Sequence, residues 1–236
     1  MTLLRLGDHP LRKLHRLAQD QSLVKPLLMG LLSLLLTLFF VHLSSEIVEG
    51  DTLSADQHVL RIAQQLRITY PWVVGLMRDL SGLGSTVVLT LLTVTTVGYL
   101  ALVSERKSAI FVAVSVITGS ALNSTFKLAF GRLRPDPAFS DFVVSGLSFP
   151  SGHASMSAIV FLTLGVLVAS TRERLSERTY ILTISTILVF LVGVSRIVLG
   201  LHWMSDVLGG WAFGAAWAIG WLILSSRTMA QESDQS

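Results

Sequence analysis

The sequence predicts an all-α polytopic membrane protein, with six transmembrane helices in one bundle. Three observations lead there. Of 236 residues, 51% are hydrophobic and 14% charged, and the mean hydropathy of +0.65 is too apolar for a water-soluble domain of this size. Six uncharged intervals approach the roughly 20 residues a helix needs to cross the hydrocarbon core: Pro26 to Ser45, Leu80 to Ser104, Ser108 to Phe126, Ser151 to Thr171, Thr179 to Ser195 and Val207 to Ser226. These runs are continuously apolar instead of alternating, which favours helices over barrel strands.

Residues 1–25 form a basic N-terminal segment. Leu11, Leu14 and Leu17 interleave with Arg12, Lys13 and Arg16, a pattern that fits a short helix on the inner leaflet and equally a mobile basic tail that sets topology. The first apolar run is too long for a cleaved secretory signal and no small-residue cleavage site follows it, so it is predicted to be retained. The outer loop, residues 46–79, carries an amphipathic stretch from Asp56 to Leu66, with Val59, Leu60, Ile62, Ala63 and Leu66 near helical spacing. Tyr70 and Trp72 follow, suited to headgroup depth, and this segment is expected to act as a purely structural lid or to help admit or cover a substrate. The fifth interval has only 17 residues, but Arg178 and Arg196 can snorkel and extend it. Residues 26–226 thus make one six-helix domain. Residues 227–236 form a tail, of which Gln231 to Ser236 is predicted to be disordered.

Lysine and arginine set the orientation. With the N-terminus inside, the inner segments hold 11 and the outer segments 7, and three of the seven, Lys127, Arg134 and Arg196, belong to the clusters described next. The expectation is an inner (plasma) membrane protein with both termini cytoplasmic and a site on the periplasmic or extracellular side. The net charge of +3 then reflects orientation signals and not a nucleic-acid partner. With no cysteine, disulfides, cysteine-zinc sites and thiol chemistry are excluded.

Three polar clusters stand beside the apolar runs. Ser195-Arg196, His202 and Asp206 lie between the last two spans. A histidine and a carboxylate four apart on one helical face can hydrogen-bond, fixing the ring tautomer and freeing the other nitrogen to attack. Arg196 brings paired planar donors that match phosphate oxygens. By itself this pattern could also cap a helix or hold a metal. Lys127 closes the third span and is followed by Gly131-Arg132-Leu133-Arg134-Pro135, where Pro135 stops any helix and turns Arg134 out of the span. An ammonium near the hydrocarbon must find a counter-charge or a wet cavity, or snorkel to the surface. The fourth span opens with Pro150-Ser151-Gly152-His153. That is a good helix start, with free N–H groups facing any anion and a glycine that lets backbone approach it; more plainly, Ser151 would be an N-cap and His153 an interfacial histidine. Under the six-span arrangement all three clusters reach the same membrane surface.

Lys127 with Arg134-Pro135, then Pro150-Ser151-Gly152-His153, then Ser195-Arg196 with His202 and Asp206, resemble the three-part signature of the type 2 phosphatidic acid phosphatase superfamily, in its membrane lipid-phosphatase branch. The signature covers residues 127 to 206, in order and at the family's internal spacing. The resemblance implies that His202 is the nucleophile forming a phosphohistidine, oriented by Asp206. It implies that His153 first protonates the leaving oxygen and then activates water. Lys127, Arg134, Ser151, Gly152 and Arg196 would hold the non-bridging oxygens, with no metal or other cofactor. No role carries onto Arg132. Fixed cations and a helix N-terminus are what a transferring phosphoryl group requires. His202 starting neutral and His153 charged predicts a bell-shaped pH profile.

The expected function is hydrolysis of a membrane lipid phosphate or diphosphate. Family likeness names undecaprenyl diphosphate, phosphatidic acid, phosphatidylglycerol phosphate and lipid A phosphate as candidates. A lipid phosphotransferase would share the intermediate. An anion or lipid transporter is disfavoured because the charges gather at span ends instead of mid-membrane. A metal hydrolase built on His202, Asp206 and His153 would be inactivated by chelators. Vanadium haloperoxidases share the anion cradle but are soluble.

Overall fold

The computed structural model describes residues 21–140, 142 and 144–233, with the side chains of residues 21–23, 25 and 226–233 outside that description. Leu11, Leu14 and Leu17, on which the surface helix is predicted, lie outside the described residues, as do residues 234–236. Among the described residues there are eight α-helices and no strand: α1 Gln21–Glu49, α2 Leu53–Thr69, α3 Trp72–Leu83, α4 Thr86–Leu102, α5 Arg106–Phe130, α6 Gly152–Ser170, α7 Leu175–Val198 and α8 Met204–Ser233, with a 3-10 turn at Pro137–Phe139. Six segments of the described residues are long and apolar enough to cross a bilayer: α1 from Pro26, α3 and α4 as one run, α5, α6, α7, and α8 as far as Ser225.

The second span begins at Trp72, eight residues before the predicted Leu80. Arg78 and Asp79 end the uncharged interval in sequence, yet both sit on α3, and the Arg78 guanidinium lies 4.8 Å from the centre of the Phe142 ring. The helix is interrupted at Gly84, and Ser85 restarts it by accepting from the Val88 N–H at 3.3 Å. At the other end α8 continues to Ser233, so residues 231–233, predicted to be disordered, are helical.

The bundle is built around α6, which packs on α7 and α8 and also touches α5; α1 lies along α8, and α3 along α7. Half of the α6 span is buried, against 17% for the first span and 11% for the second. Outward positions carry exposed apolar side chains such as Leu27, Val87 and Leu128, as hydrocarbon surroundings allow. Many span hydroxyls donate within their own helices, for example Thr93 to the Leu89 carbonyl at 2.7 Å, which suits a medium without water. Between α1, α5, α6 and α8, Phe40, Phe149, Ile159, Ala212 and Phe213 form a buried cluster, with Phe40 stacked on Phe149 at 5.6 Å.

Close approach of α6 and α8 depends on Gly214. A Cβ there would lie 2.8 Å from the Ala158 Cβ and collide with the Ser155 carbonyl oxygen, which belongs to rigid backbone. Gly214→Val is expected to separate the two helices and destabilise the bundle by about 1–3 kcal/mol, the usual range for overpacking. Thermal unfolding in detergent micelles checks this, and an unchanged midpoint would show that the contact can relax.

Six crossings place the C-terminal ends of α5 and α7 and the N-terminal ends of α6 and α8 on one face, opposite the start of α1. On that face α2 spans from α7 to α8. Its buried stripe is Asp56, Leu60, Ala63 and Arg67, while Ile62 and Leu66, grouped with Leu60 and Ala63 by helical spacing, are exposed. The helix therefore turns a partly charged stripe to the protein. Tyr70 and Trp72, predicted at headgroup depth, are exposed beyond its end.

Candidate active site

His202 and Asp206 meet, but not as neighbours along one helix. Helix α7 stops at Val198 and α8 starts at Met204, so His202 belongs to the link between them. Gly200 allows the turn with φ of +71°, a left-handed value that L side chains adopt at a cost. Asp206, in the first turn of α8, accepts from the Trp203 N–H at 2.9 Å and stands 3.3 Å from His202 Nδ1. The predicted pair forms because the carboxylate caps the incoming turn.

The other side of the ring fixes its protonation. Arg134 Nη1 lies 3.0 Å from His202 Nε2, and a guanidinium can only donate, so Nε2 presents its lone pair and Nδ1 carries the hydrogen. That hydrogen faces Asp206 Oδ2 and the Ser148 hydroxyl, each 3.3 Å away. The Ser148 hydroxyl in turn donates to Asp206 Oδ2. Burial pushes the His202 pKa down from 6.5 to about 4, a lowering that the Asp206 bond opposes and the charges of Arg134 and Arg196 reinforce.

The cations converge from three elements. Helix α5 ends at Phe130, four residues earlier than Pro135 would require, because Gly131 takes the left-handed conformation with φ of +58° and donates its N–H to the Lys127 carbonyl. This leaves Lys127 one turn inside the helix, its Nζ donating to the Leu147 and Ser148 carbonyls at 2.9 and 3.2 Å. Arg134 also donates to the Gly146 and Leu201 carbonyls, at 3.0 and 2.8 Å. Arg196, in the last turn of α7, donates through Nη1 to the Ser81 hydroxyl of α3 at 2.7 Å. His153, in the first turn of α6, lies within electrostatic reach of Arg196, His202, Arg134 and Lys127. All the predicted residues thus gather at one end of the bundle.

Three buried polar atoms here have no partner: Ser151 Oγ, Asn123 Oδ1 and Arg196 Nε. Ser151 precedes α6 without capping it through its side chain, contrary to the plainer expectation, so its hydroxyl is available to an anion. Gly152 lies beside Asn123 and Lys127, where a Cβ would stand 3.6 Å from Asn123 Nδ2. A groove of about 790 Å³ between α4, α5 and the start of α6 holds His153, Gly152 and Asn123 together with the membrane-facing Thr90, Val94 and Ile117. A larger cavity of about 950 Å³, between α1, α5 and α8, includes none of the predicted site residues. Among the described residues no three histidine, aspartate or glutamate side chains converge as a metal site.

Sequence reasoning missed Ser148, Ser81, Asn123, Asp56 and Arg132. Arg132 Nη1 donates to Asp206 Oδ1 and to Ser205 Oγ, both at 2.7 Å. Its Nη2 pairs with Asp56 Oδ2 at 2.7 Å. The signal for Asp56 was an acidic residue in register with Leu60 and Ala63 on an amphipathic helix. Ser148 and Ser81 had no signal, because only folding brings them near His202 and Arg196.

An all-helical membrane bundle with four cations, two histidines and a carboxylate at one face belongs to the class of integral-membrane phosphatases. Within that class the chain is a member of the PAP2 superfamily, whose family model matches residues 108–230. It is 30% identical over 181 residues to phosphatidylglycerophosphatase B of Bacillus subtilis, covering 76% of this chain and 87% of the relative. It is also 30% identical over 160 residues to decaprenylphosphoryl-5-phosphoribose phosphatase of Mycobacterium tuberculosis, covering 66% of this chain and 83% of the relative. The crystal structure of a transmembrane PAP2-type phosphatidylglycerolphosphate phosphatase from Bacillus subtilis superposes with a TM-score of 0.76 at 28% identity, covering 83% of this chain and 96% of that one.

Proposed function

We propose that this membrane phosphatase removes phosphate from a lipid through a phosphohistidine on His202, without a metal. The observation that carries the reading is the Arg134 donor on His202 Nε2, which leaves the ring neutral with its lone pair toward the cations. As phosphate binds, Arg134 exchanges that contact for a phosphate oxygen and Nε2 attacks phosphorus. The bond to the leaving oxygen breaks as His153 protonates it. The imidazolium that develops on His202 is stabilised by Asp206. Water, deprotonated by His153, then attacks the phosphohistidine and releases inorganic phosphate, returning Nε2 to its neutral state.

Charge supports the same reading. Lys127, Arg132, Arg134 and Arg196 face two buried carboxylates, Asp56 and Asp206, leaving two positive charges to match a phosphate monoester dianion. Ser151 Oγ and Arg196 Nε, both orphaned, together with the first N–H groups of α6 at Gly152, complete the cradle. The groove beside His153 opens toward the bilayer and accommodates the lipid chain while the headgroup enters the site. Orientation by Lys and Arg puts both termini in the cytoplasm and the site on the outer side.

By likeness to the Bacillus relatives the first substrate is phosphatidylglycerol phosphate, with phosphatidic acid and undecaprenyl diphosphate as the other arms of the test. Purified protein in micelles is expected to release inorganic phosphate from at least one of them, and EDTA is expected to leave the rate unchanged. Loss of activity restored by a divalent ion would overturn the metal-free mechanism. Transfer of phosphate to an added alcohol in place of water would redefine the enzyme as a phosphotransferase.

A further inference from the structure

Arg132 lies two residues before Arg134, yet both terminal nitrogens of its guanidinium are committed elsewhere. One edge takes Asp206 Oδ1 and Ser205 Oγ. The other takes Asp56 Oδ2 at 2.7 Å and Thr52 Oγ1 at 3.4 Å. Its plane sits 5.7 Å from the centre of the Trp203 ring. The partners of both terminal nitrogens are carboxylates and hydroxyls, those of Asp206, Ser205, Asp56 and Thr52, whereas Arg134 touches His202 itself.

Asp56 is equally constrained. It is 1% exposed and accepts from the Ser205 N–H at 2.9 Å and the Ser205 hydroxyl at 2.6 Å. A carboxylate on α2 therefore caps the first turn of α8, the turn that holds Asp206. Burying a carboxylate is costly unless it is paired and hydrogen-bonded, and here a single guanidinium bridges two of them.

The geometry points to Arg132 and Asp56 as positioning residues: a clamp, Asp56–Arg132–Asp206, that holds the carboxylate against His202 and ties the interfacial helix α2 to the catalytic turn. This rests on His202 as nucleophile and Asp206 as its orienter. Asp206 Oδ1 is taken by Arg132 while Oδ2 faces the ring, so the guanidinium fixes the plane in which Oδ2 meets Nδ1. Withdrawing that cation also makes Asp206 a stronger acceptor for the ring hydrogen. His202 would then hold a proton more readily among the groups that face it, namely Asp206, Arg134, Arg196, His153 and Lys127.

The test uses the full chain in detergent micelles with p-nitrophenyl phosphate, measuring kcat, KM, the inhibition constant of inorganic phosphate, and the acid limb of the pH profile. Arg132→Gln is expected to lower kcat about 10- to 100-fold, the range typical when an outer partner of a catalytic ligand is removed. The phosphate inhibition constant should stay within about twofold and the acid limb should move to higher pH, while Arg132→Lys recovers part of the loss. An inhibition constant rising in step with the loss of kcat would make Arg132 a phosphate ligand and overturn the proposal. So would a lower kcat with an unmoved acid limb, the mark of a merely structural part. Should Arg132→Gln not fold, Asp56→Asn serves, with kcat reduced at least about fivefold at constant phosphate inhibition; unchanged kcat sinks the clamp. His202→Ala is run alongside, since full activity there would defeat the proposed mechanism and not the clamp.

Discussion

His202→Ala is expected to lower phosphate release by roughly 10⁴-fold or more, because a covalent nucleophile removed from a concerted set takes nearly the whole chemical advantage with it. The variant should remain folded. His202 is 2% exposed, but its loss opens only a small space at the end of the bundle and leaves the packing of α6 on α7 and α8 intact. Turnover within tenfold of the unaltered protein would refute His202 as nucleophile. The pH dependence carries a second signature. With its pKa lowered to about 4, His202 remains neutral well below the usual histidine range, so the acid limb attributable to it in kcat/KM is expected near pH 4 instead of 6.5. Stability follows the same window. Between pH 6.5 and about 4 the unfolded chain binds a proton that the folded site refuses, so stability is full above 6.5 and falls as the pH is lowered toward 4. Below that both states are protonated and this contribution is lost.

His153→Ala is expected to cost about 10²- to 10⁴-fold in turnover of lipid substrates, the usual worth of a positioned acid and base. The two half-reactions should separate. With p-nitrophenyl phosphate, whose leaving group needs little protonation, His202 should still become phosphorylated, and the adduct should persist because no base activates water. Rapid alkaline quench, which preserves the acid-labile P–N bond, followed by detection of phosphohistidine checks this. A variant that phosphorylates slowly and hydrolyses normally would reverse the roles assigned to the two half-reactions. His153 gains its proton most readily once the dianion is in place, since a neighbouring negative charge favours the imidazolium.

Much of the architecture was legible because hydrophobic length is a one-dimensional quantity. Runs of uncharged residues report membrane crossings directly, and only their edges were misplaced. The second span begins at Trp72 because Arg78 and Asp79 lie on its first helix near the polar surface, where a charge does not end a helix. The site was legible in part. Lys127, Arg134, His153, Arg196, His202 and Asp206 are chemically unusual beside a bilayer, and their signature spacing made them conspicuous. Ser148, Ser81 and Asn123 are ordinary polar residues whose importance lies only in whom they meet.

By itself the sequence determined the number of crossings, the shared face of the three clusters and the family, since all follow from composition and order along the chain. Tertiary structure decided how the pieces act on one another. It moved His202 off the helix into a turn, so that Asp206 reaches it as a cap, and it set Arg134 on Nε2, which fixes the tautomer. It also drew Asp56 from a distant amphipathic helix to Arg132. Such contacts join residues far apart in the chain, as Asp56 and Ser205 are with a separation of 149. The free energy of burying paired charges selects them, and no local spacing encodes that.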